Sequence, residues 1–241
     1  MSVPDTGPSP LTPLEIAVAA LCPASVAVGA TDPRASHGPP FAAEALAVVR
    51  ATDSRVAEFA AGRAAVRAAM GSLGIGAQPV PNGPDRAPQW PRGVTGSISH
   101  CDSVCLSLVA RDRDMRALGV DVEPDAPLEP ELWPEVLSLI ERAWLSAQPA
   151  EKRGRLARLI FSAKECVYKC QYQVSGAMIG FDALEVTPDL DTGQFEATLT
   201  CAVRGFAAGS CFHGRFAVMD GVIVTVCTLP RRPRWSVQGQ G

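Results

Sequence analysis

The residues best equipped for chemistry lie in Phe161-Ser-Ala-Lys-Glu-Cys-Val-Tyr-Lys169, which puts Lys164, Glu165 and Lys169 within about two helical turns. The chain carries 3 lysines against 19 arginines, and two of those lysines are here. Lysine in an otherwise Arg-rich chain points to a compact charge that pairs with phosphate or moves a proton. The same spacing also suits an exposed Glu165–Lys169 i,i+4 pair, worth only about 0.2–0.5 kcal/mol. A second candidate is Gly119-Val-Asp-Val-Glu123. Read as a strand, it turns Val120 and Val122 to one face and Asp121 and Glu123 to the other. A solvated sheet edge tolerates two such carboxylates. A hard divalent cation such as Mg²⁺ also calls for them, because it takes oxygen ligands from one or two carboxylates and a substrate phosphate.

The elements that must position these residues follow from pattern. Asp53 opens a helical run to Leu73, closed by Gly74, with Val56, Phe59, Val66, Met70 and Leu73 at core-facing spacing. Asp53 is the expected N-cap. Arg55 and Arg63 lie on its more polar flank, about 12 Å apart along the axis; two solvated arginines are the plainer reading of them. Phe41–Arg50 predicts a shorter helix. After a Pro/Gly-rich loop, Val94-Thr-Gly-Ser-Ile-Ser-His100 reads as a strand, and 103–110 with 116–123 as a β-hairpin. Asp125–Pro134 is a Pro-rich connector, followed by expected helices at 134–147 and 150–173. Strands are expected at 183–187, 195–203, 215–219 and 222–229, with Asp220-Gly221 a hairpin turn. The fold class is α+β, with antiparallel sheets and flanking helices. The expected division is 1–124, 125–230 and a basic tail at 231–241.

Composition sets limits on partners. A chain of 241 residues, 47% apolar and 20% charged, is ordinary for a globular protein. The formal charge of −3 argues against general nucleic-acid binding, so an anion site must be local. The start, Met1–Pro10, has no basic n-region, and the apolar run 14–21 contains Glu15 and is too short for a bilayer. A cytoplasmic protein is expected, with no membrane partner. Of the 8 cysteines none forms a C-x-x-C pair, and 3 histidines are present, so a zinc site is not expected and the cysteines read as reduced core residues.

Taken in order, Trp90-Pro-x-Gly-x-x-Gly-Ser-Ile-Ser-His100, Gly119-Val-Asp-Val-Glu123 and Phe161-Ser-Ala-Lys-Glu-x-x-x-Lys169 resemble the motifs of the 4′-phosphopantetheinyl transferases. The resemblance is to the two-halved, surfactin- and enterobactin-type enzymes, nearest the enterobactin-like branch. It implies two similar α/β halves related by a pseudo-twofold, with a site between them. It implies transfer of the 4′-phosphopantetheine arm of coenzyme A to a serine of an apo acyl or peptidyl carrier protein, with release of adenosine 3′,5′-bisphosphate. By this resemblance Asp121, Glu123 and Glu165 bind Mg²⁺, with Mn²⁺ as an alternative, and Glu165 is also the general base. Lys164 and Lys169 contact the CoA phosphates, Lys169 with a catalytic role. Ser99 and His100 lie near the 3′-phosphate, which Arg55 and Arg63 hold. For His100 the plainer reading is a buried, hydrogen-bonded histidine. The chain departs from its relatives at Asn82, where a Lys is common and Arg86 could substitute, and at Gln171–Gln173 and Met178. A monomer is expected. Other readings of the same residues are a Mg²⁺-dependent phosphohydrolase acting on nucleotides, and a non-catalytic CoA- or carrier-binding protein.

Overall fold

Two antiparallel sheets, each backed by one long helix, frame the molecule. The computed structural model describes residues 12–231. The sequence readings at Met1–Pro10 and, beyond Arg231, of the basic tail lie outside these. In chain order the elements are α1 (Pro13–Ala19), β1 (Val26–Thr31), α2 (Ala42–Ala45), α3 (Asp53–Ser72), β2 (Val94–His100), β3 (Cys105–Arg111), β4 (Met115–Pro124), α4 (Trp133–Val136), α5 (Leu139–Ser146), α6 (Ala150–Ser175), β5 (Leu184–Asp189), β6 (Gln194–Leu199), β7 (Cys211–Met219) and β8 (Val222–Pro230). The first sheet runs β1-β3-β2 and the second β4-β8-β7-β6-β5. The α+β class holds. No helix among the described residues is long and apolar enough to cross a membrane.

The expected hairpin of 103–110 with 116–123 does not form. Both edges of β3 are taken, by β1 and β2, and β4 pairs instead with β8, setting Asp121 opposite Thr225. Leu118, Val120 and Val122 of β4 then pack on Leu106 and Leu108 of β3 in a core shared by both sheets. The opposite face of β4, bearing Gly119, Asp121 and Glu123, turns to α6. A Cβ on Gly119 would lie 2.1 Å from the Cys166 carbonyl oxygen, so only glycine lets α6 approach this closely. Gly29 of β1 stands in the same relation to α3, its Cβ position 2.1 Å from the Ala65 carbonyl oxygen.

The free edge of β4 is sealed by side chains. The Val120 and Val122 N–H groups donate to the hydroxyls of Ser97 (3.0 Å) and Ser99 (3.4 Å) on β2. The Val120 carbonyl accepts from Lys169 at 3.2 Å, and the Leu118 carbonyl accepts from Gln173. Thr95 of β2 also donates to Gln173, at 2.8 Å. The small hydroxyl residues of Ser97-Ile-Ser99 thus take the place of a partner strand.

A buried carboxylate organises each half. Glu44 accepts from the Val80 and Phe41 N–H groups and pairs with Arg67 at 3.3 Å. Glu141 accepts from the Val186 and Ser138 N–H groups, both at 2.7 Å, and pairs with Lys164 at 2.8 Å. The Ser138–Glu141 capping box also breaks the expected 134–147 helix: α4 ends as Leu137 turns extended and α5 restarts. The 41–50 helix is likewise shorter, α2 passing into a 3₁₀ turn at Leu46–Val48. The α3 N-cap is Thr52, one residue before the expected Asp53. Asp220 and Gly221, at φ 51° and 76°, make the expected β7–β8 turn. The sequence reading missed α1 and β1. All eight cysteines are free, but only Cys105, Cys166, Cys170 and Cys227 are buried; Cys201 and Cys211 are exposed, because they fall outside the inward-facing positions.

Candidate active site

One face of α6 carries Arg158, Ser162, Glu165 and Lys169, at helical spacing of four, three and four. That face meets Asp121 and Glu123 on β4. Asp121, only 3% exposed, accepts from Ser99 at Oδ1 and from Ser162 at Oδ2, both at 2.8 Å, and pairs with Lys169 at 2.6 Å. Glu123 pairs with Arg158 at 3.0 Å. The Lys169 ammonium turns to Asp121 and also donates to Ser99 at 2.9 Å. It does not ion-pair with Glu165, which instead lines a cavity of about 350 Å³ together with Asp121, Glu123 and Lys169.

The opposite wall of that cavity is basic, with Arg55, Arg63 and Arg86 beside His100 and Asn82. Arg63 is buried, stacked 4.2 Å over Phe59, and donates to the Val80 carbonyl (2.7 Å) and to Asn82 (2.6 Å). Asn82 therefore orients an arginine. Arg55 pairs with Glu58 at 3.0 Å and meets His100 Nε2 at 2.9 Å. A guanidinium only donates, so Nε2 is the unprotonated acceptor and this histidine is neutral.

The charges are tuned by burial and by one another. Burial raises the Glu165 carboxyl, and Asp121 adds to this against the pull of Lys169. Burial and then Asp121 raise Glu123 against Arg158. For Lys169 burial works against the charge, but Asp121 outweighs it and the ammonium is held above its ordinary value. Burial lowers His100, and pushes Arg63 down to about 10.

The structure brings together Asp121, Glu123, Glu165, Lys169, Ser99, His100, Arg55 and Arg63 around one cavity. Two expectations need correction. Lys164 does not reach the phosphate cavity: its side chain is fully buried, paired with Glu141 and donating to the Val136 (2.8 Å) and Phe181 (3.0 Å) carbonyls. Its place in the helix repeat turns it toward α4 and α5. The hydroxyl of Ser99 is committed to Asp121, Val122 and Lys169, so it orients the acid rather than standing free for a phosphate.

Sequence reasoning missed Arg158, Ser162 and Glu58. The first two were open to it, since they precede Glu165 and Lys169 on one helical face. Gln171 is fully buried and holds the end of α6 by donating to the Ala177 carbonyl at 2.9 Å, while Met178 is exposed. A second cavity of about 250 Å³, lined by Trp90, Tyr168, Tyr172 and Gly96, shares Lys169 and Arg86 with the first. Tyr172 donates to Asp85 across its rim.

By donor chemistry Asp121, Glu123 and Glu165 suit a divalent cation: three hard carboxylates line one cavity beside a cationic wall suited to phosphate, although their oxygens do not all lie within 4.8 Å of one another. Residues 43–110 match the 4′-phosphopantetheinyl transferase N-terminal domain, and residues 117–227 match the 4′-phosphopantetheinyl transferase superfamily. The chain is 39% identical over 192 residues to the 4′-phosphopantetheinyl transferase Svp of Streptomyces mobaraensis, covering 78% of each. It is 31% identical over 193 residues to Npt of Nocardia iowensis, also a 4′-phosphopantetheinyl transferase, covering 76% of this chain and 86% of that one. It is 38% identical over 135 residues to enterobactin synthase component D of Salmonella typhi, covering 55% of each. With its motifs converging on one cleft and both family matches in chain order, this chain belongs to the 4′-phosphopantetheinyl transferase superfamily.

Proposed function

We propose that this chain moves the 4′-phosphopantetheine arm of coenzyme A onto a serine hydroxyl of an apo acyl or peptidyl carrier protein, with Mg²⁺, releasing adenosine 3′,5′-bisphosphate. The observation that carries the reading is the polarity of the main cavity, acidic at Asp121, Glu123 and Glu165 and basic at Arg55, Arg63 and Arg86. Such a cavity suits a metal-bridged polyanion. Asp121, Glu123 and Glu165 would hold Mg²⁺, which supplies charge neutralisation at the pyrophosphate when bound.

The chain's own residues do the rest. Arg63, fixed by Val80 and Asn82, and Arg55 receive the 3′-phosphate beside His100. Arg86, on the same wall, adds the charge that Asn82 lacks. Lys169 neutralises negative charge that develops on the transferred phosphoryl group. Glu165, which forms no ion pair among the described residues and faces the cavity, accepts the serine proton. The second cavity, with Trp90, Tyr168 and Tyr172, takes the arm. In place of the expected division at 124, which would separate β4 from the sheet it pairs into, α3 and the three-stranded sheet supply the phosphate contacts, and the five-stranded sheet with α6 supplies the carboxylates and the Lys-Glu helix. The working state is a cytoplasmic monomer.

The test is intact mass of an apo carrier domain after incubation with CoA, Mg²⁺ and the chain. A gain of one phosphopantetheine unit supports transfer. CoA degradation without gain would establish the phosphohydrolase reading, and CoA binding with neither outcome the non-catalytic one.

A further inference from the structure

The face of the five-stranded sheet opposite α6 carries an unassigned cluster. Phe195, Ala197 and Phe212 point into the core under α6, so their neighbours Glu196 on β6 and Cys211 and His213 on β7 point outward. Glu196 and His213 are direct cross-strand partners, and Cys211 lies two residues before His213 on the same face. The His213 Nδ1 is 3.3 Å from Glu196 Oε1, and the three potential ligand atoms all lie within 4.8 Å of one another. Among the described residues this is the one such trio of His, Cys, Asp or Glu.

The donor set is chemically selective. A thiolate, an imidazole and a carboxylate together suit a borderline ion of the Zn²⁺ type rather than Mg²⁺ or Ca²⁺, which prefer oxygen alone. Tetrahedral Zn²⁺ with ligands at about 2.0–2.3 Å needs them about 3.3–3.8 Å apart. The Glu196–His213 separation already has that value, and the exposed Cys211 Sγ lies within 4.8 Å of both. All three residues are exposed, so an ion would reach them without displacing packed groups, leaving a fourth position for water. We propose that Glu196, Cys211 and His213 form a surface site for a Zn²⁺-type transition-metal ion, which staples β6 to β7 and masks the Cys211 thiol. Binding converts the Cys211 thiol to a metal-bound thiolate and releases its proton to solvent.

The probe is Co²⁺ titrated into the full chain with excess Mg²⁺ present to occupy the carboxylate cleft. The expected result is one equivalent of thiolate-to-cobalt charge-transfer absorption, displaced by Zn²⁺ and lost in Cys211→Ser. His213→Ala and Glu196→Ala should each weaken it at least about tenfold, since losing even an outer-sphere partner has that effect. Cys201→Ser, the other exposed cysteine, should retain it. Absence of the absorption, or its persistence in Cys211→Ser or at full strength in His213→Ala, would overturn the site. The readout is spectroscopic, so it stands apart from any transfer activity.

Discussion

Lys164→Met separates an anchoring lysine from a phosphate-binding one. The side chains of Lys164 and Glu141 are 0% and 1% exposed and 2.8 Å apart. Burial lowers the ammonium, while the bond to Glu141 works to keep it charged. Removing it leaves the Glu141 carboxylate with two backbone donors but no countercharge, and strips a donor from the Val136 and Phe181 carbonyls. Breaking one partner of a buried pair costs about 3–5 kcal/mol, a large share of a domain stability of about 5–15 kcal/mol. Urea unfolding followed by circular dichroism measures the loss. The counterpart Arg67, with a side chain 21% exposed and 3.3 Å from Glu44, is the internal control, and Arg67→Met should cost clearly less. Below the transition, CoA affinity of Lys164→Met should stay within about twofold, as for a substitution outside the binding cavity. Near-wild-type stability with lost CoA affinity would refute the anchoring role and restore the phosphate contact.

Glu165→Gln should lower transfer by about 10²–10⁴-fold with the fold intact, the range for loss of a general base; near-normal turnover by carrier mass analysis would remove the assignment. Arg63→Ala should weaken CoA more than dephospho-CoA in calorimetry, and equal losses would show that Arg63 does not read the 3′-phosphate. Gly119→Ala should destabilise by about 1–3 kcal/mol in urea, because its Cβ forces α6 off β4. Because His100 is held below the ordinary histidine value, it contributes stability that is present when neutral and lost as pH falls below about 6.5. NMR titration of the imidazole should give a folded-state value under that reference, and a higher one would reverse the sign.

What the sequence made legible was what repeats with a fixed period or sits in a short motif. Asp121 and Glu123 share a face because strand side chains alternate, and Glu165 joins Lys169 in the cleft because four residues make about one helical turn. The alternation could not say which strand β4 pairs with, since a short charged turn suits a hairpin whether or not the neighbouring edge is free. Lys164 shows a different limit. Its identity suggested phosphate, but its partner Glu141 lies 23 positions earlier, and no local pattern links them. Asn82 is similar: its part in orienting Arg63, 19 positions earlier, follows from no local pattern.

The sealed edge of β4 has a mechanical consequence. Five hydrogen bonds run from β2 to β4 and α6, through Thr95, Ser97 and Ser99. At about 0.5–1.5 kcal/mol each, parting them would take a large fraction of the stability of the whole, and would also expose the core shared by the two sheets. Opening the cleft by parting β2 from β4 and α6 is therefore costly. Release of a side chain at the rim, such as Tyr172 from Asp85, disturbs far fewer contacts than separating the two sheets would.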